Sequence, residues 1–180
     1  RQGQSDVAHN LIISGKLNSI YGGDLNDTLT VEGGRLSTGN TIWGGSGDDI
    51  LNINAANTTA YGNDGNDTIN SRASASVYGG NGDDVFNIYV VGQYYGEDDE
   101  DTFNVMSGVS NATVNGGSGT NAINDNGIDT IKINVPGANN SAVRFNSKET
   151  KELTINGIKY TVTNNGSARD FTYSIAVRLQ

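Results

Sequence analysis

The sequence predicts an all-β chain: a two-sheet parallel β-solenoid over residues 1–131, followed by a β-rich C-terminal cap over 132–180. Three observations lead there. A turn with glycine first, four variable residues and then aspartate, followed two places later by an apolar residue, is written five times between residues 22 and 101. The closing aspartates, Asp27, Asp49, Asp67, Asp84 and Asp101, recur at intervals of 22, 18, 17 and 17 residues. Around each turn, apolar and polar residues alternate with the period of two that sends successive strand side chains to opposite faces. Self-similarity at a short, nearly fixed period is the signature of stacked repeats.

The copies run Gly22-Gly23-Asp24-Leu25-Asn26-Asp27, Gly44-Gly45-Ser46-Gly47-Asp48-Asp49, Gly62-Asn63-Asp64-Gly65-Asn66-Asp67, Gly79-Gly80-Asn81-Gly82-Asp83-Asp84 and Gly96-Glu97-Asp98-Asp99-Glu100-Asp101. A sixth, opening at Gly116, carries Asn121 in place of the aspartate. Two short strands and two turns consume about eighteen residues at ~3.3 Å of rise per strand residue, so each interval is one coil and a third sheet has no residues to form from. The longer first interval predicts an excursion near Glu32-Gly33-Gly34-Arg35. Between turns, the far edge reads Ala55-Ala56-Asn57-Thr58, Arg72-Ala73-Ser74-Ala75 and Gly92-Gln93, which predicts one edge built from aspartate turns and one plain edge.

Alternation sorts the strands into columns. Leu29, Leu51, Ile69, Phe86, Phe103 and Ile123 stand two places after the closing residue, and Ile20, Ile42, Ala60, Val77, Tyr94 and Val114 two places before the turn; both sets are expected inside. Thr30, Asn52, Asn70, Asn87, Asn104 and Asn124 are expected outside one sheet, with amides able to bond along the column. Outside the other sheet stand Tyr21, Trp43, Tyr61, Tyr78 and Tyr95.

Composition narrows the function. Residues 1–130 hold four Lys or Arg against seventeen acids, a balance of −13, while residues 131–180 hold seven against three, a balance of +4. An acidic repeat region lacks the clustered cations that nucleic-acid phosphates require, and favours a divalent cation as partner. No cysteine is present, so disulfides and thiolate metal sites are excluded, and the single histidine, His9, has no cysteine to activate. No stretch reaches the ~20 apolar residues of a membrane span, and Arg1-Gln2-Gly3-Gln4 opens no signal-peptide core, so the chain is expected to be part of a larger protein or exported without an N-terminal signal.

Glycine lets main-chain carbonyls approach one another, and carbonyls with carboxylates are the hard oxygens calcium prefers, six to eight at ~2.3–2.6 Å. With Asp27, Asp49, Asp67, Asp84 and Asp101 one coil apart, each calcium ion is expected between neighbouring turns. Unit charges ~5 Å apart repel by roughly 0.8 kcal/mol even in bulk water, so the stacked turns need a cation to close. The competing reading is a metal-free solenoid whose aspartates are solvated or form Asx-turns. Asn121 offers an oxygen without charge, and Asp129 is expected to begin a turn on the opposite edge.

These turns resemble the glycine- and aspartate-rich nonapeptide repeats of the RTX family of secreted bacterial proteins, over roughly residues 15–131. The resemblance implies a right-handed parallel β-roll around rows of calcium ions. It implies carbonyl ligands at the first, third and fifth turn positions: Gly22, Asp24 and Asn26; Gly44, Ser46 and Asp48; Gly62, Asp64 and Asn66; Gly79, Asn81 and Asp83; Gly96 and Asp98. It also implies type I secretion, with the repeats unstructured at cytosolic calcium and folded outside the cell. In familiar β-rolls both edges carry the calcium turn, so the plain edge here departs from the pattern.

In the C-terminal segment, Asn156-Gly157 between alternating strands predicts a tight hairpin, and Phe171 to Leu179 a further strand, together a cap for the solenoid's end. The functional expectation is a non-catalytic, calcium-binding structural module of an exported surface protein, of surface-layer or adhesin type. The alternatives are the C-terminal region of a secreted toxin or hydrolase with catalysis upstream, and a carbohydrate-binding module using the outward aromatic column. Copies of the chain, adjoining domains and glycans are the partners considered beside calcium.

Overall fold

The computed structural model describes residues 7–34, 37–106, 109 and 112–116, and beyond these the backbone of five strands between 130 and 177. All regular structure among the described residues is β. In chain order the strands are β1 (Asn10–Ser14), β2 (Ser19–Asp24), β3 (Thr28–Glu32), β4 (Thr41–Ser46), β5 (Ile50–Ile53) and β6 (Thr58–Asp64). There follow β7 (Thr68–Ser71), β8 (Ala75–Asn81), β9 (Val85–Ile88), β10 (Gln93–Glu97), β11 (Thr102–Val105) and β12 (Thr113–Asn115). The last are β13 (Thr130–Val135), β14 (Arg144–Phe145), β15 (Thr150–Ile155), β16 (Ile158–Thr163) and β17 (Phe171–Val177).

Odd and even strands separate into two sheets as the coils advance. One runs β1-β3-β5-β7-β9-β11-β13-β17-β14 and the other β15-β16-β12-β10-β8-β6-β4-β2, a parallel β-solenoid of about six turns. Register is set by the repeat itself: Leu29 pairs with Leu51, Leu51 with Ile69, Ile69 with Phe86 and Phe86 with Phe103. All five side chains are fully buried, and the Phe86 and Phe103 rings stack at 4.5 Å. The facing column, Ile20, Ile42, Ala60, Val77, Tyr94 and Val114, is likewise in register and buried. Between the two sheets there is room for one layer of side chains from each, so a short residue such as Ala60 lies among large neighbours and Tyr94 reaches across the interior. Its hydroxyl meets Ser71 Oγ (3.0 Å) and the Val90 carbonyl (3.1 Å) at the plain edge.

The outward asparagines form the expected ladder. Asn52 donates through Nδ2 to Thr30 Oγ1 (3.2 Å), Asn70 to Asn52 Oδ1 (3.0 Å), Asn87 to Asn70 (2.9 Å) and Asn104 to Asn87 (3.0 Å). The excursion also falls where expected: Val31 pairs with Ile53 and Thr38 with Ala56, so the first coil's additional residues lie between Glu32 and Thr38. The plain edge is closed by neutral groups. Thr58 Oγ1 donates to the Ala55 carbonyl (2.7 Å), while Asn40 accepts the Asn18 N–H (2.9 Å) and donates to the Gly15 carbonyl (3.1 Å).

One expectation needs correction after residue 116. Thr102 pairs with Thr130 and Phe103 with Ile131, so β13 follows β11 in the first sheet and the strand position expected for Ile123 and Asn124 belongs to Ile131 and Lys132. A turn pattern of six residues could not distinguish these, because the sixth coil spends more residues between its strands than the first five. Ile123, Asn124, Asn121 and Asp129 lie outside the described residues. The C-terminal segment adds parallel strands β16 and β17 to the two sheets, and antiparallel β14 and β15 end them. β15 and β16 pair from Ile155 opposite Ile158 outward, bracketing Asn156 and Gly157, which lie outside the described residues.

Truncating Phe86 to alanine removes a fully buried ring from the single-layer core. We expect a loss of about 3–5 kcal/mol, against less than about 0.5 kcal/mol for Asn54→Ala at an outward, half-buried position; urea unfolding of both variants measures the difference.

Candidate metal centre

Each aspartate turn reverses the chain between an even and an odd strand, and its last residue points inward under the turn. Asp27, Asp49, Asp67, Asp84 and Asp101 are each only 1% exposed. They form a main-chain ladder: the Asp27 N–H donates to Asp49 Oδ1 (2.7 Å), Asp49 to Asp67 (2.7 Å), Asp67 to Asp84 (2.8 Å) and Asp84 to Asp101 (3.0 Å). His9 begins the series. Its N–H donates to Asp27 Oδ1 (2.5 Å) and its Nδ1 lies 3.3 Å from the same oxygen. Sequence reasoning gave His9 no role; its only signal was a position eighteen residues before Asp27, one coil.

The second carboxylate oxygen is the unusual one. Oδ2 of Asp27, Asp49, Asp67 and Asp84 is buried with no hydrogen-bond partner. It lies against the Cα of the glycine that opens the same turn, Gly22, Gly44, Gly62 or Gly79, and the carbonyl oxygen of the next coil's first glycine, Gly44, Gly62, Gly79 or Gly96, converges on the same spot. A Cβ on any of these four glycines would overlap both oxygens, which is why the position is glycine in every copy. The Gly96 Cα stands in the same relation to Asp101 and the Gly116 carbonyl. A buried carboxylate oxygen with no donor demands either a proton or a cation.

Outside this column runs a second ladder in the opposite sense. Asn26, Asp48, Asn66 and Asp83 accept through Oδ1 the N–H of the residue one coil later: Asp48 (2.9 Å), Asn66 (2.9 Å), Asp83 (3.0 Å) and Glu100 (3.1 Å). These side chains are exposed. The two ladders flank the same peptide bond in each turn, so adjacent residues pull toward opposite neighbours and fix the stack in both directions. In the outer ladder Asn and Asp alternate freely, since a single carbonyl-type oxygen suffices. The inner ladder needs no more than that from Oδ1, yet it holds aspartate in all five turns.

The remaining candidates are dispersed. Side chains of Asp24, Ser46, Asp64 and Asn81 are exposed and Asp98 is half-buried, and Asn81 Nδ2 donates to Asp64 Oδ1 (2.7 Å). The third-position carbonyls of Asp64 and Asn81 already accept the N–H groups of Gly47 (2.8 Å) and Gly65 (2.9 Å), which leaves each with one lone pair for any further partner. Among the described residues no three His, Cys, Asp or Glu side chains converge as a metal cluster. A cation here would therefore be held by one inner carboxylate per turn with main-chain oxygen, a donor set of hard oxygens that fits calcium.

Burial acts on the three middle carboxyls of the column. It raises the carboxyl pKa of Asp49 to about 6, Asp67 to about 7 and Asp84 to about 8, opposed by the N–H each accepts and reinforced by neighbouring charges, chiefly Asp27, Asp49 and Asp67 respectively. In the fifth turn burial and Asp98 raise Glu97 as well.

The outward aromatics stack on each other. Ring centroids are 4.3 Å apart for Tyr21 and Trp43, 5.9 Å for Trp43 and Tyr61, 5.0 Å for Tyr61 and Tyr78, and 4.9 Å for Tyr78 and Tyr95, with interplanar angles of 12° or less. Ring faces inside this column are covered by neighbouring rings, so they are closed to a stacked sugar ring. Comparison with known proteins returns no matching family model, no matching curated protein and no matching solved structure.

The raised pKa values give a signed prediction for cation-free protein. Folded Asp49, Asp67 and Asp84 keep protons up to about pH 6, 7 and 8, whereas the unfolded chain releases them near 3.8, so between these limits the fold binds more protons than the unfolded state. The stability these groups contribute without cation is fully present below about pH 3.8 and is lost as pH rises through about 6, 7 and 8. Urea midpoints in chelator at pH 5 and pH 8 measure this, and Asp67→Asn is expected to flatten part of the slope.

Proposed function

We propose that this chain is a non-catalytic calcium-binding structural module, a β-solenoid that completes its folding on calcium outside the cell as part of a larger exported surface protein. One observation carries the reading. The inner column keeps an ionisable, two-oxygen carboxyl group in all five turns although its ladder bond asks for one neutral oxygen, and Oδ2 in four of them is buried with no donor beside the next turn's glycine carbonyl. Calcium supplies there the positive charge and the oxygen coordination that the turns lack. Asp27, Asp49, Asp67, Asp84 and Asp101 are its carboxylate ligands, joined by the carbonyls of Gly44, Gly62, Gly79 and Gly96. The resemblance to RTX turns supports the same assignment and supports export by a type I route.

The rest of the module is read as support. Without cation, Asp49, Asp67 and Asp84 hold protons in the folded chain, a contribution lost as pH rises through about 6, 7 and 8; a ligand bound to the folded form alone adds RT ln(1 + [L]/Kd) per site, about 2.7 kcal/mol at a hundred times Kd. Low cytosolic calcium thus leaves the turns unclosed and higher external calcium closes them. A secreted toxin or hydrolase carrying the same module at its C-terminal side remains the second reading for the parent protein, favoured by the RTX resemblance alone.

Asp67→Asn separates calcium from the metal-free alternative, because asparagine keeps the bond from the Asp49 N–H and its Nδ2 can donate to the Gly79 carbonyl. Under our reading calcium raises the thermal midpoint of the wild-type chain at pH 7.5, magnesium does not, and Asp67→Asn reduces the calcium increment while raising the midpoint in chelator. A wild-type midpoint unchanged by calcium would sink the proposal. Far-ultraviolet circular dichroism followed through a calcium titration gives the same answer for secondary structure.

A further inference from the structure

Turn chemistry changes at the fifth copy. In the first four turns the second position is Gly23, Gly45, Asn63 and Gly80 and the fourth is Leu25, Gly47, Gly65 and Gly82, all uncharged; in the fifth turn they are Glu97 and Asp99. All ten residues adopt positive φ. Nothing in the backbone therefore asks for an acid at either place, and glycine would hold the same conformation at lower cost.

Both acids are directed at the fourth turn. A Cβ at Gly45 or Gly80 would meet the carbonyl of the second-position residue one coil earlier, Gly23 or Asn63, and one at Gly47 or Gly82 would meet the main chain of Leu25 or Gly65. Side chains at these two positions thus leave the backbone toward the preceding turn. Glu97 stands in register with Gly80, and Asp99 Oδ2 accepts the Gly82 N–H (3.2 Å). The charge of Glu97 also reaches the inner column: burial, then Asp67, Asp83 and Glu97, raise the Asp84 carboxyl pKa, and burial, Tyr95, Tyr61 and Glu97 raise that of Tyr78.

Asp84 faces the same junction from the other side. It is only 1% exposed, its Oδ2 has no hydrogen-bond partner, and the carbonyl that converges on that oxygen belongs to Gly96, the residue before Glu97. The fourth and fifth turns together carry seven acids, Asp83, Asp84 and the run from Glu97 to Asp101, with no Lys or Arg between residues 73 and 131. Each of the other three junctions between neighbouring turns carries four acids.

We propose that calcium binds most tightly at the junction of the fourth and fifth turns, at Asp84 and the Gly96 carbonyl, and that Glu97 sets this preference by adding its negative charge there. The inference rests on the calcium reading of the aspartate turns and ranks sites that the reading leaves equal. Calcium affinity rises with the charge gathered around a site of hard oxygens, and half-buried charges such as Glu97 are screened less than exposed ones. The first three junctions, with glycine, leucine or asparagine in place of Glu97 and Asp99, offer the cation less charge and fill at higher calcium. Glu97 acts on affinity through its charge, while the inner aspartates and glycine carbonyls supply the oxygens.

Competition between the whole chain and a chromophoric calcium chelator at pH 7.5 reads the affinities step by step. The first calcium is expected to bind at least about tenfold more tightly than the next. Glu97→Gln and Glu97→Gly each weaken that first step by at least about fivefold. Glu97→Gly also eases the backbone at a φ of 84° and raises the thermal midpoint in chelator, so it keeps the test open should the glutamine variant fold poorly. A purely structural role for Glu97 would move the midpoint and leave the first step unchanged. Glu32→Gln removes an equal charge from an exposed residue outside the turns and leaves the first step in place. A chain that binds no calcium overturns the calcium reading and this ranking with it. Several ions bound in steps that are equal or grow tighter, or a first step indifferent to both Glu97 variants or weakened as much by Glu32→Gln, overturn the ranking alone and leave the calcium reading standing.

Discussion

The structure depends on holding carboxylates in single file inside a turn. Each coil advances by one strand spacing, ~4.8 Å, so aspartates in register come nearer to one another than ions in water tolerate without loss. They are not free to swing apart, because Oδ1 of each is fixed by the main-chain N–H of the preceding coil. Fixing Oδ1 commits Oδ2 to the interior of the turn, where it meets the backbone of the opening glycine. Glycine at that place is thus a consequence of the aspartate, and the aspartate's charge is the unresolved demand that a proton or a cation answers.

The remaining columns show how little charge the rest of the stack requires. Thr30 and the asparagines pass hydrogen bonds along one sheet, and the aromatic rings cover one another along the other. The plain edge closes through Thr58, Asn40 and Ser71 with neutral donors and acceptors. A solenoid with these three devices could stand without acidic turns. All five buried carboxylates of the described residues lie on one edge, each accepting a main-chain N–H through Oδ1, while the other edge and both outer faces are closed by neutral groups.

Turn chemistry is not uniform along the file. The second and fourth turn positions adopt positive φ throughout, and glycine serves most of them, but Leu25, Asn63, Glu97 and Asp99 take φ between 75° and 84°. A side chain there costs on the order of 1 kcal/mol. The fifth turn bears two such residues amid five consecutive acids, which makes it the most demanding of the described turns, and it stands where the regular spacing ends and the longer sixth coil begins.

By itself the sequence determined the solenoid, its two sheets, both inner columns, the asparagine ladder, the excursion after Glu32 and the aspartate edge. Each of these follows from local rules, a strand period of two and a repeat of seventeen to twenty-two residues, that a linear chain displays openly. Only the tertiary structure decided that β13 and not the segment around Ile123 continues the stack, because coil length between strands is set by what pairs and not by the turn motif. It also decided that the aromatic faces are mutually covered, that the two Asx ladders run in opposite senses, and that His9 heads the aspartate column. Those facts are relations between atoms one coil apart, and sequence spacing states which residues become neighbours without stating which of their atoms meet.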